Sequence, residues 1–146
     1  MKYLPLSALA ASLLAPSTAA IAQDSAPDLT GRWSFTAEAV GFSFDADGES
    51  GEIVYRTLEN IIEFDQQDGR RISGKEIHEK ASAGPETPPL ERVAGVIDTE
   101  DATVYMVDEN GFRTCRIVDT DTMSCVYQHV LGHRADVSIA TWKREK

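Results

Sequence analysis

Cys115 and Cys125 are the two side chains of this 146-residue chain most clearly able to react with each other, and they are its only cysteines. They flank Asp119-Thr120-Asp121-Thr122, a turn-forming stretch between two β-rich runs, so a disulfide here would clamp one hairpin. A metal site or redox pair is the rival use, but the spacing is not C-x-x-C and no second cysteine pair exists. His129 and His133 form H-x-x-x-H, which on a helix would present both rings to zinc. Here His129 ends a β-like run and His133 lies beyond Gly132, so the spacing loses that meaning and rim histidines are expected. His78 has no ligand partner nearby in sequence. Asp45-x-Asp47-Gly48 looks like the start of a calcium loop. With Gly48 sixth, however, the twelfth residue is Val54 rather than Glu, which excludes an EF-hand and leaves an irregular calcium site open. No G-x-S-x-G elbow or phosphate-binding glycine loop is present, so the reading is of a protein that is not an enzyme and carries no cofactor.

Positioning falls to strands. From Leu29 the apolar period is two: Trp33, Phe35 and Ala37 alternate with Arg32, Ser34, Thr36 and Glu38. Phe42 and Phe44 extend a weaker alternation before the turn-rich Asp45–Gly51. Glu52–Thr57 and Glu59–Gln66 read as the next β-like runs, and Asp68-Gly69 turns the chain into Arg71–Glu79. Lys80–Leu90, with Gly84, Pro85, Pro88 and Pro89, is the one long loop. Arg92–Ile97, Thr103–Val107, Phe112–Val118, Met123–Val130 and Ala135–Trp142 follow as strands between short polar turns. No stretch has a helical period. The fold class expected is all-β: a single antiparallel up-and-down β-barrel of about eight strands, closed to remove its edges.

Alternation places Trp33, Phe35, Ile62, Phe64, Ile72, Ile117, Met123 and Tyr127 on the inner face, with His129 beside them. Trp33, Phe35, Phe64, Met123, Tyr127 and His129 are therefore the candidates to line a ligand pocket, unless these side chains simply fill the core. Alternate turns of a meander lie at the same end. Counting the runs in order brings Asp45, Asp47, Glu49, Asp65, Asp68, Asp98, Glu100, Asp101, Asp119 and Asp121 together as an acidic rim. Within it Asp98, Glu100, Asp101, Asp119 and Asp121 are the candidates to hold a divalent cation, against the plainer use of aspartate as a turn former.

Residues 1–22 read as a secretory signal peptide: Met1-Lys2, an apolar run from Tyr3 to Ala15 too short to span a bilayer, and Ala20-Ile21-Ala22 as the cleavage site. Residues 23–146 are then one β-barrel domain, periplasmic or extracellular. The formal net charge is −10, and the leader contributes only Lys2 to it. Such acidity opposes phosphate backbones and anionic lipid, so neither nucleic acid nor membrane insertion is expected.

Leu29-Thr30-Gly31-Arg32-Trp33 resembles the Gly-x-Trp opening of the calycins, the lipocalin and avidin-type barrels. The resemblance implies that Gly31 lets the chain into the barrel floor, that Trp33 plugs it, and that a basic residue after Trp142, Lys143 or Arg144, covers the Trp. Gly69–Gly74, Val104–Gly111 and Asp121-Thr122-Met123 also look like a group of small exported bacterial proteins to which no activity is assigned. Avidin-type biotin sites use several tryptophans, and this chain has only Trp33 and Trp142. Barrel inhibitors of secreted metalloproteases share the L-x-G-x-W start, but their disulfide lies early in the chain. The functional expectation is a barrel binding a small apolar molecule inside. The alternative is a protein-binding or protease-inhibitor module acting on a protein partner through its loops.

Overall fold

The computed structural model describes residues 26–45, 47–78, 90–131 and 134–146. The leader expected over residues 1–22, the proline-rich loop and His133 lie outside the described residues. Eight strands follow in order: β1 Gly31–Ser43, β2 Val54–Asp68, β3 Arg71–His78, β4 Leu90–Asp98, β5 Thr103–Val107, β6 Gly111–Asp119, β7 Thr122–Leu131 and β8 Arg134–Arg144. Each pairs antiparallel with the next, and β8 closes onto β1. The structure is thus a single closed up-and-down barrel, with no helix among the described residues.

Period two decides what points inward. On β1 the odd residues Trp33, Phe35, Ala37 and Ala39 face the interior while Arg32, Thr36 and Glu38 are exposed. Trp33, Ile62, Phe64, Ile72, Val93, Ile97, Val104, Met106, Met123 and Trp142 form one close-packed core, with Phe35 and Ile117 packed against it. Phe35 stacks on Trp142 with ring centroids 4.8 Å apart. At the end where the chain enters, Trp33 is fully buried, and its Nε1–H donates to the Leu29 carbonyl at 3.0 Å. Gly31 has φ +112°, a left-handed backbone that other residues rarely adopt and that turns the segment before β1 into the strand. The basic residue over the Trp33 ring is Arg144, its guanidinium 4.5 Å from the ring centroid, while Lys143 donates to Thr122 Oγ1.

One expectation about the ends is corrected. The turns holding Asp68, Glu100 and Asp119 do share the Trp33 end, but the turn of Asp45, Asp47 and Glu49 lies at the opposite end. Glu52–Thr57 and Glu59–Gln66 are not two strands: β2 runs unbroken through Val54–Asp68, and its partner β1 pairs with it from Gly31 to Gly41. One strand fewer reverses the end to which the preceding turn belongs.

Cys115 and Cys125 are bonded, directly opposite each other on β6 and β7 with Cα atoms 4.0 Å apart. Both are buried in the apolar core. A bond of this kind persists in oxidising compartments. Because it closes so short a loop, Cys115→Ser is expected to lower stability by about 2–3 kcal/mol, and reduced wild type to match it. Thermal melts of oxidised, reduced and variant protein check this, and equal melting of all three would show that the bond carries no stability.

A candidate functional site in the polar half of the barrel

Moving along the axis away from Trp33, the inner face changes from apolar to ionisable. Strand parity drives the change. Inward positions on β3 after Ile72 are Gly74, Glu76 and His78, those on β6 before Cys115 are Arg113 and Gly111, and those on β7 after Cys125 are Tyr127 and His129. Glu91 opens the inward face of β4 directly opposite Glu76, and Asp136 faces His129 from β8.

Arg113 is the hub. Only 5% exposed, it forms ion pairs with Glu76 through Nη2 and with Asp108 through Nη1, and it lies over the Tyr127 ring at 4.3 Å. Asp108 is fixed by its turn as well: Asp108 Oδ1 accepts the amides of Asn110 at 2.8 Å and Gly111 at 2.6 Å. Gly111 has to be glycine, because a Cβ there would stand 2.6 Å from Tyr127 Cε2 and 2.4 Å from the Gln128 carbonyl. The Tyr127 hydroxyl reaches Asp108 Oδ1 at 3.5 Å and His129 Nδ1 at 3.3 Å.

Beside this hub, Asn60 donates to Glu76 Oε1 at 2.7 Å, and Asn110 donates to Glu91 Oε1 at 3.1 Å. His78 lies between the two carboxylates, its Nδ1 3.8 Å from Glu76 Oε1 and its Nε2 3.7 Å from Glu91 Oε1. A second group sits across the barrel, where Arg134 and Arg56 approach the buried Asp136 carboxylate at 2.6 and 3.5 Å.

The electrostatics follow from burial. One arginine answers two carboxylates at the hub, and Glu91 has no lysine or arginine within ion-pair distance among the described residues. Desolvation pushes the Glu91 carboxyl above its ordinary range, helped by the Glu76 and Asp108 charges and opposed by His78 and Arg113. Burial likewise raises the Tyr127 phenol, with Asp108 adding to it, and lowers His129 despite Asp136 nearby.

The residues singled out from the sequence divide between the two halves. Trp33, Phe64 and Met123 are fully buried in the apolar end, packed on one another's neighbours, and Phe35 lies against Trp142. Tyr127 and His129 belong to the polar half. The turn carboxylates Asp98, Glu100, Asp101, Asp119 and Asp121 do not converge. Asp98 Oδ1 accepts the Glu100 amide and Asp119 Oδ1 accepts the Asp121 amide, as turn-forming aspartates do, and the Asp121 bond, joined by one from Thr122, holds the Asp119 carboxyl below its usual range. Among the described residues, the one set of three metal-ligating side chains with converging donor atoms is Glu76, His78 and Glu91.

That set was not visible in the sequence, and His78 is not without ligand partners as its sequence neighbourhood suggested. Glu76-x-His78 shares the parity of Ile72, and Arg113 shares that of Cys115, so an inward charge was legible in principle at each. The pairing of Glu76 with Glu91 depends on the β3–β4 register across the long loop. Compared with known proteins, the chain matches no family model and no curated protein.

Proposed function

We propose that this chain is an exported calycin-type barrel that binds a small molecule in the half of its interior away from Trp33, without transforming it. The observation that carries the reading is the set of ionisable groups kept inside a small barrel: Glu76, His78, Glu91, Asp108 and Arg113 face inward where apolar side chains would stabilise more. Buried titratable groups gathered in one place, with the Glu91 carboxyl raised by desolvation among them, are candidates for a functional site. Trp33, Phe64 and Met123, which suggested an apolar ligand, are packed into the closed core, so the ligand proposed here is polar or charged. The leader read over residues 1–22 and the buried disulfide support an extracytoplasmic setting.

A second reading has its own observation. Val96, Tyr105, Thr114, Val126 and Ile139 are cross-strand neighbours on the outer wall of β4 to β8, and the four apolar members are exposed. A mostly apolar row of this kind, broken by Thr114, suits a protein partner. Native mass spectrometry of the exported protein, purified gently from its own cells, tests both. A retained polar small molecule, lost in Arg113→Lys, is the expected result. A bare protein, or one carrying only a second polypeptide, would overturn the small-molecule reading.

A further inference from the structure

We infer that Glu76, His78 and Glu91 bind one divalent transition-metal ion of the zinc class inside the barrel. One donor atom from each residue lies within 4.8 Å of those of the other two. Zinc bonds of roughly 2.0–2.2 Å to nitrogen and oxygen place tetrahedral ligand atoms about 3.3–3.6 Å apart. The 3.7 Å between His78 Nε2 and Glu91 Oε1 is close to that spacing and too long for a direct hydrogen bond.

A separate observation concerns His78 itself. Its Nε2 is buried and takes part in no hydrogen bond, on a side chain only 11% exposed. A buried nitrogen of that kind loses its water without return, and a metal bond supplies the missing partner. Charge points the same way. Glu76 and Glu91 are 2% and 5% exposed, and the nearby Arg113 is already shared between Glu76 and Asp108. A divalent ion offsets the negative charge that remains.

The donor set selects the metal. An imidazole with two carboxylates suits zinc and its neighbours, whereas calcium takes six to eight oxygens and magnesium keeps most of its waters. Three protein ligands leave a fourth position for water or another ligand atom, the arrangement of zinc sites that interact with small molecules. The inference deepens the proposed function, since it places an anchor for the ligand in the polar half. It is tested with metal alone, so the two fail separately.

The test uses the mature, oxidised protein stripped with chelator, then titrated calorimetrically with zinc and, in parallel, with cobalt(II). Expected are one zinc per chain and the intense visible bands of low-coordinate cobalt, bleached by added zinc. Glu91→Gln and His78→Gln should each weaken zinc by at least about tenfold, the scale on which even supporting groups alter metal affinity. Asp119→Asn, at the other end, should leave binding unchanged. No zinc uptake by wild type, a cobalt spectrum like that of the aqueous ion, or equal affinity in all variants would overturn the site. The cobalt spectrum needs no variant, so it decides even if a substitution fails to fold. Metal uptake by a protein that retains no organic molecule would uphold the site while removing the carrier reading. A retained organic molecule without metal uptake would do the reverse.

Discussion

Arg113→Met is expected to destabilise the fold by about 3–5 kcal/mol, the cost of leaving a buried charge without its partner. Here the loss is compounded, because Glu76 and Asp108 both depend on the same guanidinium and both side chains are almost wholly buried. Methionine fills much of the volume and still covers Tyr127, so cavity formation contributes little. The triple variant Arg113→Met, Glu76→Gln, Asp108→Asn should recover most of the loss, since it removes the charges together. Asparagine at 108 also retains an oxygen for the Asn110 and Gly111 amides. Urea unfolding of the single and triple variants measures both effects. A single variant within about 1 kcal/mol of wild type would show that the two carboxylates do not rely on Arg113, given the size of a typical hydrogen bond.

The second large effect lies at the other end. Trp33→Ala should cost about 3–5 kcal/mol, as large-to-small substitutions of buried aromatic residues do. Trp33 is wholly enclosed, and it also ties two chain segments together. Its indole N–H holds the Leu29 carbonyl, and its ring carries the Arg144 guanidinium. Arg144 in turn donates to the carbonyls of Asp28, Thr30 and Thr120. Trp33→Phe keeps an aromatic surface under Arg144 and loses the indole bond, so its expected cost is smaller, about 1–2 kcal/mol. Thermal melts followed by circular dichroism rank the three proteins. Equal melting of Trp33→Ala and wild type would mean that this ring does not close the floor.

The inner apolar face was legible because hydrophobic alternation and strand parity agree there. Trp33, Phe64, Met123 and the Cys115–Cys125 pair all sit where period two puts them. The polar half escaped for two physical reasons. First, alternation is read from apolar residues, and around Arg113 the signal inverts: Phe112 is 65% exposed while Arg113 points in. Hydropathy favours the wrong face, and only parity counted from Cys115 assigns the right one. Second, the groups that meet come from distant strands. Glu76 finds Arg113 across the barrel interior and Glu91 across a register that no local pattern specifies. The misplaced Asp45 turn has a simpler origin. Polar Arg56 and Asn60 take inward positions on either side of Leu58, and Val54 and Tyr55 face solvent, so composition suggested a break where the backbone ladder has none.

The closure of β8 onto β1 has a kinetic consequence. Seven of the eight pairings join strands adjacent in sequence, but Phe35 meets Trp142 and Gly41 meets Asp136 across nearly the whole domain. A chain made from its N-terminus must therefore hold the edge of β1 unpaired until the final strand arrives. The meander can assemble hairpin by hairpin, but the ring is completed last, with the largest loop-closure entropy in the molecule. Until then β1 and β7 are two sticky margins able to recruit a second chain. Val137 to Lys143, in the last strand of the ring, thus acts as the latch that ends this exposure, and losing it would turn a ring into an open sheet.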